Sequence, residues 1–272
     1  MRCLYLDLDA TLLGHRGSLL HDGEGNTSLL GVRAIEACLR AGVEVVLMSG
    51  RRKETVAIPA RLFGQRSYIF EVGACLVLDG EEQWLTGDLQ PGEAGTIFEQ
   101  IGATGAPALL LDRYVGRLEY HDPWHRGREV SHLFRGRVDA FEANALLDER
   151  GHGGLRLVDN GAMHAGRTNL PEVSDPRVYH LIPAGVSKAR AVDAHMRARG
   201  LRRDDCIAVG DSREDLGVAP HVATCWLVAN AIERDPTIRE AIAGLDGTVR
   251  VAEAGYGPGV YEAVVTTLAE RR

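Results

Sequence analysis

The stretch Cys3-Leu4-Tyr5-Leu6-Asp7-Leu8-Asp9-Ala10-Thr11 opens the chain. Its first four residues are apolar without a polar break. Such a run reads as a short strand buried on both faces, as in a parallel sheet, not as a strand with one wet face. The run ends in two carboxylates one residue apart. In open α/β sheets ligands bind beyond the carboxyl ends of the strands, and Asp7 and Asp9 can converge there on one small volume. Their mutual repulsion calls for a proton or a cation, and a hard divalent ion such as Mg2+ suits carboxylate oxygens. One carboxylate can then attack phosphorus while the other handles the proton of the leaving oxygen. A solvated turn after a strand would look the same, so these residues alone decide nothing about function.

Further along, Val43 to Met48 forms a second buried run, ending at Ser49-Gly50-Arg51. A hydroxyl and free backbone N–H groups at a strand-to-helix turn suit phosphate oxygens. Ser28 to Ala41, with Leu29, Val32, Ile35 and Leu39 on one side, predicts a helix stopped by Gly42. Glu54 to Phe63 predicts another, interrupted by Pro59, and Tyr68 to Val72 and Cys75 to Leu78 read as strands. The pattern returns after residue 186. Ser187 is a plausible cap for a helix from Lys188 to Arg199, closed by Gly200. A cation at a helix start is electrostatically misplaced unless it faces an anion. Cys206 to Val209 is a strand running into Gly210-Asp211-Ser212-Arg213-Glu214-Asp215, which places Asp211 to bind a metal and Asp215 to bind it directly or through water. Ala223 to Val228 predicts a strand, and Thr237 to Ala243 and Val260 to Ala269 predict helices. Strands alternating with helices predict an α/β fold, a doubly wound parallel sheet covered on both faces.

The middle of the chain has a different texture, rich in Gly, His and Arg. Leu109-Leu110-Leu111 and Arg156 to Val158 read as strands, Asp139 to Leu147 as a helix, and Asp159-Asn160-Gly161 as a hairpin turn of type I′. The expected organisation is a core of residues 1–83 and 183–272 with an inserted α/β cap of residues 84–182. Between Arg113 and Arg137 six arginines face three acids, a local basic excess. Arg126 and Arg128, flanking Gly127, and His164, beyond the Asn-Gly turn, are candidate contacts for a second anionic group on a substrate, because the guanidinium fork matches carboxylate and phosphate.

Composition narrows the function classes. The 272 residues are 45% hydrophobic with a net charge of −7, which speaks against non-specific nucleic-acid binding. No apolar stretch approaches the length of a membrane span, and Met1 to Leu6 already reads as core, so neither a membrane partner nor a signal peptide is expected. The five cysteines form no CxxC pair; small buried hydrophobes in a reducing cytoplasm are expected, not a zinc site or disulfides.

Taken in order, Asp7 with Asp9, Ser49, Lys188, and Asp211 with Asp215 resemble the four motifs of the haloacid dehalogenase superfamily, its phosphatases in particular. Thr11 and Ser49 are 38 positions apart and Ser49 and Lys188 are 139 apart. The long second gap resembles the subgroup with a large α/β cap between the second and third motifs, subgroup IIB. That subgroup includes Cof-like sugar phosphatases, sucrose-phosphate phosphatase, mannosyl-3-phosphoglycerate phosphatase and phosphomannomutase. Ser49-Gly50-Arg51 and Glu71-Val72-Gly73-Ala74 are similar to its motifs, and Tyr179 to Val192 looks most like the mannosyl-3-phosphoglycerate phosphatase branch. Ala10 stands where Gly is usual, and Val72 and Glu214 where Asn is common. The resemblance implies Asp7 as nucleophile and Asp9 as general acid/base. It implies Mg2+ held by Asp7, the Asp9 backbone carbonyl and Asp211, with Asp215 beside them. Ser49 and Lys188 would hold the phosphoryl group, with Thr11, Gly50 and Arg51 as further substrate contacts. The expected activity is Mg2+-dependent hydrolysis, through an aspartyl-phosphate, of a small phosphorylated metabolite such as a sugar phosphate or a glycosyl-phosphoglycerate-like compound. A phosphomutase and a phosphate-binding protein on a retired core are the alternatives; the complete set Asp7, Asp9, Lys188 and Asp211 weighs against the second.

Overall fold

The computed structural model describes residues 1–163 and 168–270, so His164 lies outside the described residues. The first third of the chain forms β1 (Cys3–Leu6), α1 (Leu30–Arg40), β2 (Glu44–Met48), α2 (Lys53–Leu62), β3 (Tyr68–Phe70), β4 (Cys75–Leu78) and β5 (Glu81–Trp84). The middle forms α3 (Ile97–Ala103), α4 (Ala106–Arg113), β6 (Leu118–Tyr120), β7 (His132–Gly136), α5 (Ala140–Glu149), β8 (Leu155–Ala162) and β9 (Arg177–Pro183). The last third forms α6 (Lys188–Arg199), β10 (Cys206–Gly210), α7 (Arg213–Leu216), β11 (Thr224–Leu227), α8 (Asn230–Arg234), α9 (Ile238–Ala243), β12 (Val249–Val251) and α10 (Tyr256–Glu270). The chain divides into two compact units, Met1–Gln83 with Ser187–Arg272, and Trp84–Val186.

The first unit is built on a sheet of order β12-β11-β10-β1-β2-β3-β4-β5. From β12 to β3 all neighbours are parallel, and β4 turns back antiparallel on β3. β1 and β10 are buried along their whole length, which is why they read as unbroken apolar runs. Burying a side chain such as Leu4 or Leu6 contributes about 1.5–3 kcal/mol. Strand order grows outward from β1 in both directions, so β1 marks the switch point where a ligand crevice forms. The Asp7 N–H continues the ladder to the Val209 carbonyl at 3.0 Å, which fixes the first carboxylate at that point.

The second unit carries a four-stranded antiparallel sheet of order β6-β7-β9-β8 with α3, α4 and α5. Two sequence expectations fail here. Leu109–Leu111 lies in helix α4, not in a strand. Its buried positions are Ala106, Pro107 and Leu110, and Tyr114, just past its end, is buried too; Ala106, Leu110 and Tyr114 keep a spacing of four that the three consecutive leucines disguised. Asp159-Asn160-Gly161 makes no hairpin turn; it lies inside β8. Asp159 pairs with Tyr179 and Ala162 with Arg177, leaving one extra residue on β8 as an irregularity of the ladder. Gly161 takes φ +103° there, and its N–H is held by Asp159 Oδ1 at 2.9 Å. The positive φ that Asn-Gly offers a turn serves a bulge instead.

Candidate active site

Asp7, Ser49, Lys188 and Asp211 sit at or just beyond the carboxyl ends of strands in the first unit or at the start of α6. At the centre is the Lys188 ammonium, 2% exposed, which donates to Asp7 Oδ1 and to Asp215 Oδ1 at 2.7 Å each. Burial alone would push this ammonium down; the carboxylates of Asp215 and Asp7 outweigh it and hold it charged. Its place at the first residue of α6 follows from Ser187, whose Oγ accepts the Arg190 N–H at 3.1 Å as the cap. Burial pushes the Asp7 carboxyl well above the usual carboxylate range; Lys188 opposes this, while Asp215 and Asp211 add to it. Asp211 is pushed up to about 6 by burial, with Arg234 opposing and Asp215 reinforcing.

Asp215 is the most fully engaged acid of the set. Its Oδ2 accepts from the N–H of Asp211 at 3.1 Å, the N–H of Ser212 at 3.0 Å and the Ser212 hydroxyl at 2.6 Å. Gly210 makes this possible, since a Cβ at that position would lie 2.2 Å from Asp215 Cγ. Asp215 therefore shapes the turn that presents Asp211 and steadies Lys188. Thr11, fully buried, donates to Asp211 Oδ1 at 3.2 Å, so it orients a carboxylate. Oxygens of Asp7, Asp211 and Asp215 lie within 4.8 Å of one another. Three acids this close, two of them pushed up by burial, suit a hard cation coordinated by oxygen.

Asp9 and Ser49 occupy a second side of the site. The Asp9 side chain is 58% exposed, and Arg51 grips it with Nε to Oδ2 at 2.7 Å and Nη2 to Oδ1 at 2.6 Å. Ser49 is buried, with its Oγ accepting the Arg51 N–H at 3.2 Å. The Ser49-Gly50-Arg51 turn is tied to the Glu71-Val72-Gly73 turn by Val72 N–H to Ser49 carbonyl (3.1 Å) and Glu71 N–H to Arg51 carbonyl (3.0 Å). That second turn is strained, with Glu71 at φ +47° and Val72 at φ +60°; a β-branched residue there is an outlier of the kind that collects at functional sites. A Cβ on Gly73 would lie 2.1 Å from the Ser187 carbonyl, so this turn lies directly against the cap that places Lys188.

A model of haloacid dehalogenase-like hydrolases matches residues 168–239, the span holding Lys188, Asp211 and Asp215. A phosphoglycolate phosphatase from Methanoculleus marisnigri is 27% identical over 275 residues, covering 97% of this chain and 95% of that protein. One from Pyrobaculum neutrophilum is 29% identical over 85% of this chain and 84% of that protein. Among solved structures, the sucrose-phosphatase from Synechocystis sp. PCC6803, in complex with sucrose and phosphate, superposes with a TM-score of 0.63 at 14% identity, covering 98% of each chain. A Thermoplasma acidophilum protein gives 0.63 at 19% identity, with 98% of this chain and 97% of that one covered. The chain is thus similar to haloacid dehalogenase-like hydrolases over residues 168–239 and to phosphoglycolate phosphatases over most of its length. Its likenesses include subclass IIB sugar phosphatases.

Within the first unit, three residues make contacts that sequence reasoning missed. Arg51, expected to touch substrate, lays its fork on Asp9. Arg234 donates to Asp211 Oδ2 at 2.6 Å and offsets part of that acid's charge. Asn230, buried, donates from Nδ2 to the Ala10 carbonyl at 2.8 Å and accepts the Tyr256 N–H on Oδ1 at 2.9 Å. Ala10 has φ +60°, so Asn230 clamps the left-handed residue directly after Asp9. The available signal was a lone amide in the apolar run that follows β11. Asn230→Asp sets a carboxylate oxygen against the Ala10 carbonyl. It is expected to lower kcat/KM by about 10-fold, on the scale of a buried hydrogen bond. Steady-state kinetics check this, and a folded variant with wild-type turnover would remove Asn230 from the machinery.

In the second unit, Arg126 is largely exposed and paired with Asp122 at 2.6 Å. Arg128 is buried, donating from Nε to the Trp124 carbonyl at 3.1 Å and from Nη1 to Ser131 Oγ at 2.9 Å. The two arginines flanking Gly127 are thus unequal: Arg128 braces its own turn, and Arg126 is the one open to solvent. Among the described residues no helix is long and apolar enough to cross a membrane.

Proposed function

We propose that this phosphatase cleaves the phosphomonoester of a small metabolite through an aspartyl-phosphate on Asp7 with Mg2+ as cofactor, a phosphorylated hydroxy acid of the phosphoglycolate kind being the first substrate to test. The carrying observation is the Lys188 ammonium held between Asp7 and Asp215 at 2.7 Å. A fixed, buried positive charge beside a strand-end carboxylate suits an anionic electrophile and little else. The substrate class rests on the relatives named phosphoglycolate phosphatase, one of them matched over 97% of this chain.

The residues supply the steps as follows. An oxygen of Asp7 forms a bond to phosphorus as the bond to the leaving oxygen breaks, and that oxygen takes a proton from Asp9. Water then attacks phosphorus and returns a proton to Asp9; inorganic phosphate leaves and Asp7 is regenerated. Lys188 bears on the phosphoryl oxygens and aims Asp7, while Ser49 and the Gly50 turn cradle the phosphate. Asp7, Asp211 and the Asp9 backbone carbonyl are the groups to hold Mg2+, with Asp215 fixing Asp211. Bound there, Mg2+ neutralises charge so that carboxylate and phosphate can meet. Arg51 has a part in specificity: a second anion on the substrate that draws its fork away releases Asp9 for proton transfer.

The test is phosphate release from a panel of phosphoglycolate, phosphoglycerates, hexose phosphates and sucrose phosphate. Mg2+-dependent hydrolysis is expected, silenced by chelator. Mg2+ at about 100 times its dissociation constant should stabilise the fold by about 2.7 kcal/mol, read as a raised thermal midpoint that Asp211→Asn loses. Undiminished turnover in chelator contradicts the metal assignment. Stabilisation by Mg2+ with no phosphate released from any member would favour the binding-protein reading. Isomerised sugar phosphate with activation by a bisphosphate would favour a mutase.

A further inference from the structure

A second cluster of metal-binding side chains lies at the opposite, amino ends of the central strands. Cys3, Glu44 and Cys206 are the first residues of β1, β2 and β10, and in register Cys3 pairs with Glu44 on one side and Cys206 on the other. His195, on α6, is fully buried beside them. The Cys3 sulfur, a Glu44 oxygen and a His195 ring nitrogen all lie within 4.8 Å of one another, and Cys206 is the neighbour of Cys3 across the ladder. The Tyr5 hydroxyl is bonded to His195 Nδ1 at 2.8 Å. The other ring nitrogen, Nε2, is buried without a hydrogen-bond partner; it stands 3.5 Å from Glu44 Oε1, long for a hydrogen bond.

We propose that Cys3, Glu44 and His195, with the Cys206 thiol as fourth donor, form a structural site for a zinc-type divalent ion, separate from the phosphatase centre. A donor set of thiols, one imidazole nitrogen and one carboxylate suits a borderline-soft, four-coordinate ion, whereas Mg2+ and Ca2+ call for oxygen donors throughout. The Tyr5 hydroxyl on Nδ1 is the kind of outer partner that orients a ligating histidine, and it turns Nε2 towards Cys3 and Glu44. Arg199 steadies Glu44 from behind, donating to its Oε1 at 3.1 Å while gripping Asp79 at 2.7 Å. Glu44 and Asp79 balance Arg199 and the Arg66 that donates to the Asp79 carbonyl, so the thiolates leave the neighbourhood net negative, as a dication requires. The Glu44 side chain is 28% exposed and marks the way in. Loading the ion forms sulfur–metal bonds to Cys3 and Cys206 and sends both thiol protons to solvent. The site would join three strands to α6, the helix whose first residue is Lys188. Linear spacing carries no trace of it, because the four ligands come from four separate elements.

The test uses the full chain, stripped with chelator, held in excess Mg2+ and titrated with Co2+. The expected result is a saturable thiolate-to-cobalt charge-transfer absorption with the visible bands of a four-coordinate ion, displaced by Zn2+. Tyr5→Phe should bind Co2+ about 10-fold more weakly, as for loss of an outer-shell partner. Asp7→Asn should keep the absorption, which separates this site from the catalytic carboxylates. If folded wild-type chain gives no charge-transfer absorption, or if Cys3→Ser gives it undiminished, the assignment is overturned.

Discussion

Asp7→Asn is expected to lower kcat by at least about 1,000-fold, the scale for removing the group that acts covalently. An amide is a poor nucleophile and a weak ligand for a hard cation, so both of the roles proposed for Asp7 fail together. The fold should survive. The amide oxygen of the variant can still accept from Lys188, as Asp7 Oδ1 does at 2.7 Å. Burial already holds the Asp7 carboxyl well above its ordinary range, so an uncharged isostere relieves a cost instead of adding one. Acid quench of wild-type protein during turnover of labelled substrate should leave phosphate on the chain, and the variant should carry none. A thermal midpoint at or above wild type, together with lost turnover, separates a missing nucleophile from a damaged core. Turnover close to wild type would contradict covalent catalysis at this position.

The parts legible in the sequence were those that local chemistry dictates. β1 and β10 announced themselves because a strand buried on both faces must be apolar throughout, and the acids that follow them stood out against that background. Helix α6 was readable from Ser187 and Gly200, whose cap and stop geometry is local. What failed to show depends on distant partners. Leu109–Leu111 is helical because Ala106, Leu110 and Tyr114 share one buried face, and three adjacent leucines satisfy either period. Asn160-Gly161 carries turn chemistry, but pairing of Asp159 and Ala162 with β9 turned it into a bulge. The grip of Arg51 on Asp9 spans 42 residues, and the clamp of Asn230 on Ala10 spans 220. No local pattern encodes such contacts. Val72 is legible in retrospect: it occupies a left-handed backbone position that Asn tolerates better.

Lys188→Met is expected to abolish turnover and to lower stability by about 3–5 kcal/mol, the range for removing one partner of a buried ion group. Lys188 is 2% exposed and touches two carboxylates that are themselves almost wholly buried. Without the ammonium, Asp7 and Asp215 confront each other in a buried site, and Asp211 adds a third negative charge nearby. Methionine fills the volume of the stem, so the loss reports charge and not a cavity. Two further measurements isolate that cause. Combining Lys188→Met with Asp215→Asn removes one of the stranded charges, and the pair should be less destabilised than the sum of the single changes, because residues in one ion network couple. Added Mg2+ should recover part of the lost stability in Lys188→Met, since a dication can serve the same carboxylates, but on the proposed mechanism it should not recover turnover, because the ammonium assigned to the phosphoryl oxygens is gone. Urea denaturation with and without Mg2+ reads the stability outcomes, and phosphate release reads the turnover. A Lys188→Met midpoint equal to wild type would mean that Asp7 and Asp215 do not depend on this lysine, and the electrostatic account of the site would fail with it.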